Sequence, residues 1–210
     1  MKTTIQVFSV LILALAAFGQ NTIAKTGGGG AFKFKGQSTE TFFSSTDSSG
    51  CITTDVSIFA SEQIVRNQPG SGSASSGLTL FIYQYNFCTN EQLMAASGFA
   101  PLADNDLQVS GNLDSAVLNA RANIFDEVSG APVDVTIALT WRGVSSLGHQ
   151  SSQFQYSFGG CKTKSNGDGT FRFAEAAGSV TMGQTNLTPA SSVNSTIFSG
   201  KSGTVEIGCG

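Results

Sequence analysis

The sequence predicts an all-β protein, an antiparallel β-sandwich of jelly-roll or immunoglobulin-like type with nine to eleven strands and at most one short helix. Three observations carry this. Short runs of β-branched and aromatic residues alternate with polar ones on a period of two. Gly/Ser/Asn-rich breakers separate them at short spacing, and no helical pattern is long enough for a βαβ crossover. Finally, only 12% of the 210 residues are charged while 25 are glycine, a composition common among turn-rich extracellular β proteins.

The chain opens with Lys2, an apolar run Val7 to Phe18 and the small-x-small triplet Thr22-Ile23-Ala24. This is the pattern of a secretory signal over residues 1–24, too short to span a bilayer. Residues 25–30 (KTGGGG) form a flexible Gly-rich lead-in, and residues 31–210 are long enough for a single β-sandwich domain. With no second long apolar run, no transmembrane segment is expected after signal removal, and the product should be secreted, extracellular or periplasmic. The formal net charge is −3 and Lys/Arg are scattered. Nucleic acid is therefore excluded as a partner, because phosphate binding needs clustered cations.

Cys51, Cys88, Cys161 and Cys209 all lie beyond the signal. An even count in an exported chain, without CxxC or Cys/His spacing, reads as two disulfides rather than a zinc site. Phe32 and Phe34 alternating with Lys33 and Lys35 suit an edge strand, which Glu40 to Ser44 extends. Cys51 to Ala60 alternates again. After the breaker-rich 66–77 comes the longest uninterrupted strand-forming run, Leu78 to Cys88 (LTLFIYQYNFC). Thr79, Phe81, Tyr83, Tyr85 and Phe87 share one face of it, and Leu78, Leu80 and Ile82 share the other. A hairpin turning about Pro69-Gly70 sets Val56 opposite Tyr83, Ile58 opposite Phe81 and Cys51 opposite Cys88. This makes the aromatic ladder core, and it pairs Cys51 with Cys88 and Cys161 with Cys209.

Thr89 to Ala96 has capping-box spacing and a Gly98 stop, so it is the helix candidate. Leu107 to Val109 is a short strand. Ser115 to Phe125 and Val133 to Arg142 form a hairpin, with Ala116, Leu118, Ala120, Ala122 and Ile124 inward on one strand and Val133, Val135, Ile137, Leu139 and Trp141 inward on the other. Gly143 to Ser152 reads as a loop holding His149, the only histidine. Phe154, Tyr156 and Phe158 alternate on the next strand. Lys164 to Thr170 (KSNGDGT) reads as a hairpin turn, and Ala176–Met182, Ser195–Phe198 and Thr204–Ile207 are weak strands.

Nothing here builds a catalytic centre: GxSxG is missing, and a lone histidine in a Ser/Gly loop is ordinarily a solvated side chain. The oxygen-rich turns Asp104-Asn105-Asp106 and Asn166–Gly169 are of the kind calcium takes, but neither completes an EF-hand series. No other cofactor is indicated. The expected function is that of an exported, non-catalytic protein with a binding or surface-structural role toward a carbohydrate or protein ligand. The alternative is a secreted, carbohydrate-active hydrolase whose acids, scattered over Glu40, Asp55, Glu62, Asp126, Glu127, Asp134 and Glu175, meet only in the fold.

Overall fold

A computed structural model describes residues 30–67, 72–158, 160–189 and 195–209; the signal segment and the Pro69-Gly70 turn lie outside them. The fold is all-β. Its strands are β1 (Gly30–Thr46), β2 (Ile52–Asn67), β3 (Gly72–Asn86), β4 (Glu91–Pro101), β5 (Leu107–Val109), β6 (Ser115–Asp126), β7 (Ala131–Gly143), β8 (Gly148–Phe158), β9 (Cys161–Met182), β10 (Thr185–Leu187) and β11 (Ser195–Cys209). Every pairing is antiparallel. The ladders run β9-β11-β1-β2-β3-β4-β6-β7 and return to β9, while β5, β8 and β10 attach to single neighbours. This connectivity is consistent with a β-sandwich.

The hairpin of β6 and β7 follows the expected pattern: Ala116, Leu118, Ala120, Ala122 and Ile124 are buried against Val135, Ile137, Leu139 and Trp141. The outward residues between them, such as Asn119, Arg121, Asp134 and Thr136, are exposed. In this hairpin the apolar side chains face the interior and the polar ones face out, whereas Phe42, Phe81 and Phe99 on other strands are exposed. At one end of the interior the guanidinium of Arg172 bonds the Asp114 carboxylate, which also accepts from the Asn112 amide.

Several local expectations are corrected. Residues 91–101 are strand β4, not a helix, because a two-turn helix is marginal alone whereas this segment pairs with β3 along most of its length. β1 is not an edge; it pairs with β2 on one side and β11 on the other. The side chains of Phe32 and Phe34 lie outside the described set. The KSNGDGT segment is not a turn but the middle of β9, paired with β8 and β11 together. Its glycines serve packing: a Cβ on Gly169 would stand 2.5 Å from the ring of Phe198, so a bare backbone is what lets that ring lie down. His149 is likewise in strand β8, not in a loop.

The largest correction concerns β3. Val56 is opposite Ile82 and Ile58 opposite Leu80, while Asp55 faces Tyr83 and Ser57 faces Phe81. The ladder is shifted by one residue from the expected register, and a slip of one exchanges the two faces of a strand. Leu78, Leu80 and Ile82 are therefore core at 0%, 0% and 1% exposure, whereas Phe81, Tyr83 and Phe87 are outside at 51%, 42% and 65%. The disulfide survives the slip: Cys51 and Cys88 are bonded, with Cα atoms 5.3 Å apart. Both lie beyond the last paired residues, Ile52 and Asn86, where the turns leave the needed freedom. Cys161 and Cys209 stand directly opposite one another in the β9/β11 ladder, a placement compatible with the expected second bond; their side chains are outside the described set.

Asp126 ends β6 and organises the adjoining turn. Its carboxylate accepts from the Ser129 hydroxyl at 2.6 Å, and from the backbone N–H groups of Ala95, Val128 and Ser129 at 2.9, 3.1 and 3.2 Å. The Ser129 hydroxyl first, and the Ala95 N–H next, hold its pKa below the ordinary aspartate value. A depressed carboxylate pKa adds stability that is complete above the unfolded value of about 4 and lost as pH falls through the folded one. Asp126→Asn should therefore cost about 1–3 kcal/mol at neutral pH. In denaturant melts at stepped pH, the gap between variant and parent should close in the acid range; a constant gap would show that the ionised state is not what matters.

Candidate functional site

The outward face of β1 to β4 is where the corrected register puts its chemistry. Pairings place Phe42, Ser57, Phe81, Ser97 and Phe125 side by side across β1, β2, β3, β4 and β6. Large and small side chains alternate along this line, which spans roughly 19 Å at the spacing of adjacent strands. Phe42, Phe81 and Phe125 are all exposed. One step along the strands, Glu40, Phe59, Thr79 and Phe99 form the next line. The Phe99 ring lies over Gly77, where a Cβ would come within 2.4 Å of it. Glu40 shares this face, and burial pushes its carboxyl above the ordinary glutamate range.

Toward the disulfide the face changes character. The rings of Tyr83 and Tyr85 are 6.3 Å apart and within 9° of parallel, and Phe87 meets Tyr85 edge-on at 5.0 Å. Thr53, Asp55 and Asn90 complete the wall of an open depression of about 380 Å3. Its geometry is fixed from several sides. Tyr85 donates its hydroxyl hydrogen to Asn90 Oδ1 at 2.7 Å, and Asn90 sits at φ 60°, a left-handed conformation that asparagine tolerates better than most residues. Asn86 Oδ1 accepts from the N–H groups of Cys88 and Thr89 at 2.9 and 3.1 Å, an Asx turn. The Cys51–Cys88 bond and the Phe87 N–H to Cys51 carbonyl bond at 2.8 Å tie that turn to β2. Ser44 donates to Asp55 Oδ1.

The remaining candidates are dispersed. His149 Nε2 lies 2.6 Å from Asp168 Oδ1 on the exposed β8/β9 ladder, far in sequence from the aromatic face. Asp106 Oδ2 accepts from the Ala103 N–H at 2.8 Å, so the Asp104–Asp106 turn uses its own carboxylate locally. Asn166, Gly167, Asp168 and Gly169 are extended in β9. No group of three or more His, Cys, Asp or Glu residues is placed to hold a metal among the described residues. Glu40 and Asp55, the acids on the aromatic face, belong to lines of residues four positions apart along β2, about 13 Å, wider than the span of a glycosidase pair. Glu62 is pushed up chiefly by burial and secondarily by the charge of Asp104. The sequence marked the Tyr83/Tyr85/Phe87 ladder but not Asn90 or Asp55 as its companions, since only pairing and the 87–90 turn bring them there.

No protein-family model, curated protein or solved structure matches the chain.

Proposed function

We propose that the chain is an exported, non-catalytic binding protein whose ligand is a glycan held against Tyr83, Tyr85 and Phe87. The observation that carries the reading is the pair of near-parallel, solvent-accessible tyrosine rings bordered by Asp55, Thr53 and Asn90. A pyranose presents an apolar C–H face beside a rim of hydroxyls, so it needs an aromatic surface with hydrogen-bonding groups at the edge. Both are supplied here by strands and a disulfide-anchored turn, which keeps the ordering cost of binding low. Export is supported by the signal-like residues 1–24 and by the Cys51–Cys88 bond, which persists in an oxidising compartment.

Retention of the secreted protein on insoluble polysaccharides tests this. The mature product should begin at Lys25, and one or more polysaccharides should retain it. Tyr83→Ala and Tyr85→Ala should each weaken retention by at least about tenfold, and Asp55→Ala by about threefold to tenfold, the scale of 1 kcal/mol or so per lost contact. Equal retention of parent and tyrosine variants would refute the site, and retention of none by any polysaccharide would refute the ligand class. The hydrolase alternative would draw on the scattered acids, and a polysaccharide shortened by the parent but not by Glu62→Gln would favour it.

A further inference from the structure

Strand β8 has an open side. It pairs with β9 along its whole length, from Gly148 opposite Phe171 to Phe158 opposite Cys161, and with no other strand among the described residues. The other strands held by one neighbour, β5 and β10, are three residues each, and short edges offer little to a partner. By contrast β8 is eleven residues, GHQSSQFQYSF, with no proline, lysine or acid. The Nε2 of its one histidine, His149, lies 2.6 Å from Asp168 Oδ1. Every second residue of an antiparallel strand turns its N–H and C=O away from the existing ladder. Among the described residues, β8 carries no proline, lysine or acid of its own to blunt that edge.

We propose that β8 is a self-association strand: two copies of the chain join antiparallel, β8 against β8, about a two-fold axis at Gln153. The chemistry favours a second copy over another occupant. An antiparallel strand pair is self-complementary under two-fold rotation, and an identical strand matches in length and in lack of charge. With Gln153 beside its own copy, Phe154 faces Ser152 of the second copy, and the two Phe154/Tyr156 ring pairs, each with centroids 6.3 Å apart, fall on one face of the joined sheet. On the opposite face the rows extend into β9, where Lys164 stands beside Gln155 and Asp168 beside Ser151. The same register aligns Lys164 of one copy with Asp168 of the other, so charges of opposite sign share the two rows that flank the central one. The paired amides of Gln153 add a side-chain hydrogen bond at the axis.

The proposal does not depend on the glycan site, which lies on β2, β3 and the 87–90 turn. Sedimentation velocity on the mature protein over a concentration series tests it, alongside the double variant Gln153→Lys/Gln155→Lys and the single variant Gln153→Cys. The parent should be a concentration-dependent dimer. The double lysine variant should dissociate at least about tenfold more readily with its melting temperature and far-UV spectrum unchanged, and Gln153→Cys should cross-link to a covalent dimer under mild oxidation. A parent that stays monomeric at its highest soluble concentration overturns the proposal. So does a dimer undisturbed by the two lysines, or growth beyond dimer, which a closed two-fold contact forbids. Should the lysine variant unfold, the Gln153→Cys cross-link decides alone, and its failure in a dimeric sample refutes the register.

Discussion

Leu80→Ala should cost about 3 kcal/mol and lower the melting temperature by roughly 6 to 12 °C, the range for a large core side chain in a protein of this size. Its neighbour Phe81→Ala, and Tyr83→Ala beyond it, should stay within about 0.5 kcal/mol of the parent. The contrast follows from burial: Leu80 is 0% exposed and enclosed by the walls of the core, while Phe81 keeps 51% of its surface. Hydrophobicity alone would order these residues the other way, because phenylalanine carries more apolar area than leucine. Thermal melts of the three variants decide the matter, and a Tyr83→Ala protein that melts as low as Leu80→Ala would restore the aromatic ladder to the core. With the contrast upheld, loss of glycan retention in Tyr83→Ala cannot be ascribed to unfolding.

Replacing Cys51 and Cys88 together by serine should remove about 2–5 kcal/mol, the usual cost of losing a native disulfide. The chain-entropy account gives about 4 kcal/mol for the 37-residue separation. The loss should exceed that of any single hydrogen bond in the 47–51 and 87–90 turns, because the bond closes the end of the β2/β3 hairpin beyond Ile52 and Asn86, next to the Phe87 N–H to Cys51 carbonyl bond. It should also weaken ligand retention at temperatures where the fold persists, since Phe87 and Asn90 flank Cys88 and lose their anchor. Chemical denaturation and polysaccharide retention measured on the same sample separate the two effects. Unchanged retention would mean that the Asx turn of Asn86 holds the platform unaided.

Strand identity was legible wherever the period of two was uninterrupted. The inward sets of β6 and β7 are as their sequences imply, because a short hairpin with one wet and one dry face permits a single register. The helix expected at Thr89–Ala96 and the turn expected at Lys164–Thr170 rested on local preferences of a kcal/mol or so, which a strand pairing on one or both sides outweighs.

The residues of β3 define two faces and say nothing of which is inside. Both sets are apolar at Leu78–Ile82 and Phe81–Phe87, so hydrophobicity does not break the tie, and the turn that fixes the register contributes no pattern of its own. By itself the sequence determined the all-β class, the long strand at 78–86 and the identity of the aromatic ladder; it also led to the bond between Cys51 and Cys88, but through a register that the structure shifts by one residue. Tertiary structure decided that the ladder points to solvent: closing the circuit through β7 and β9 surrounds Leu80 and Ile82 with apolar walls, and a one-residue difference in register then sends every aromatic on β3 to the other side.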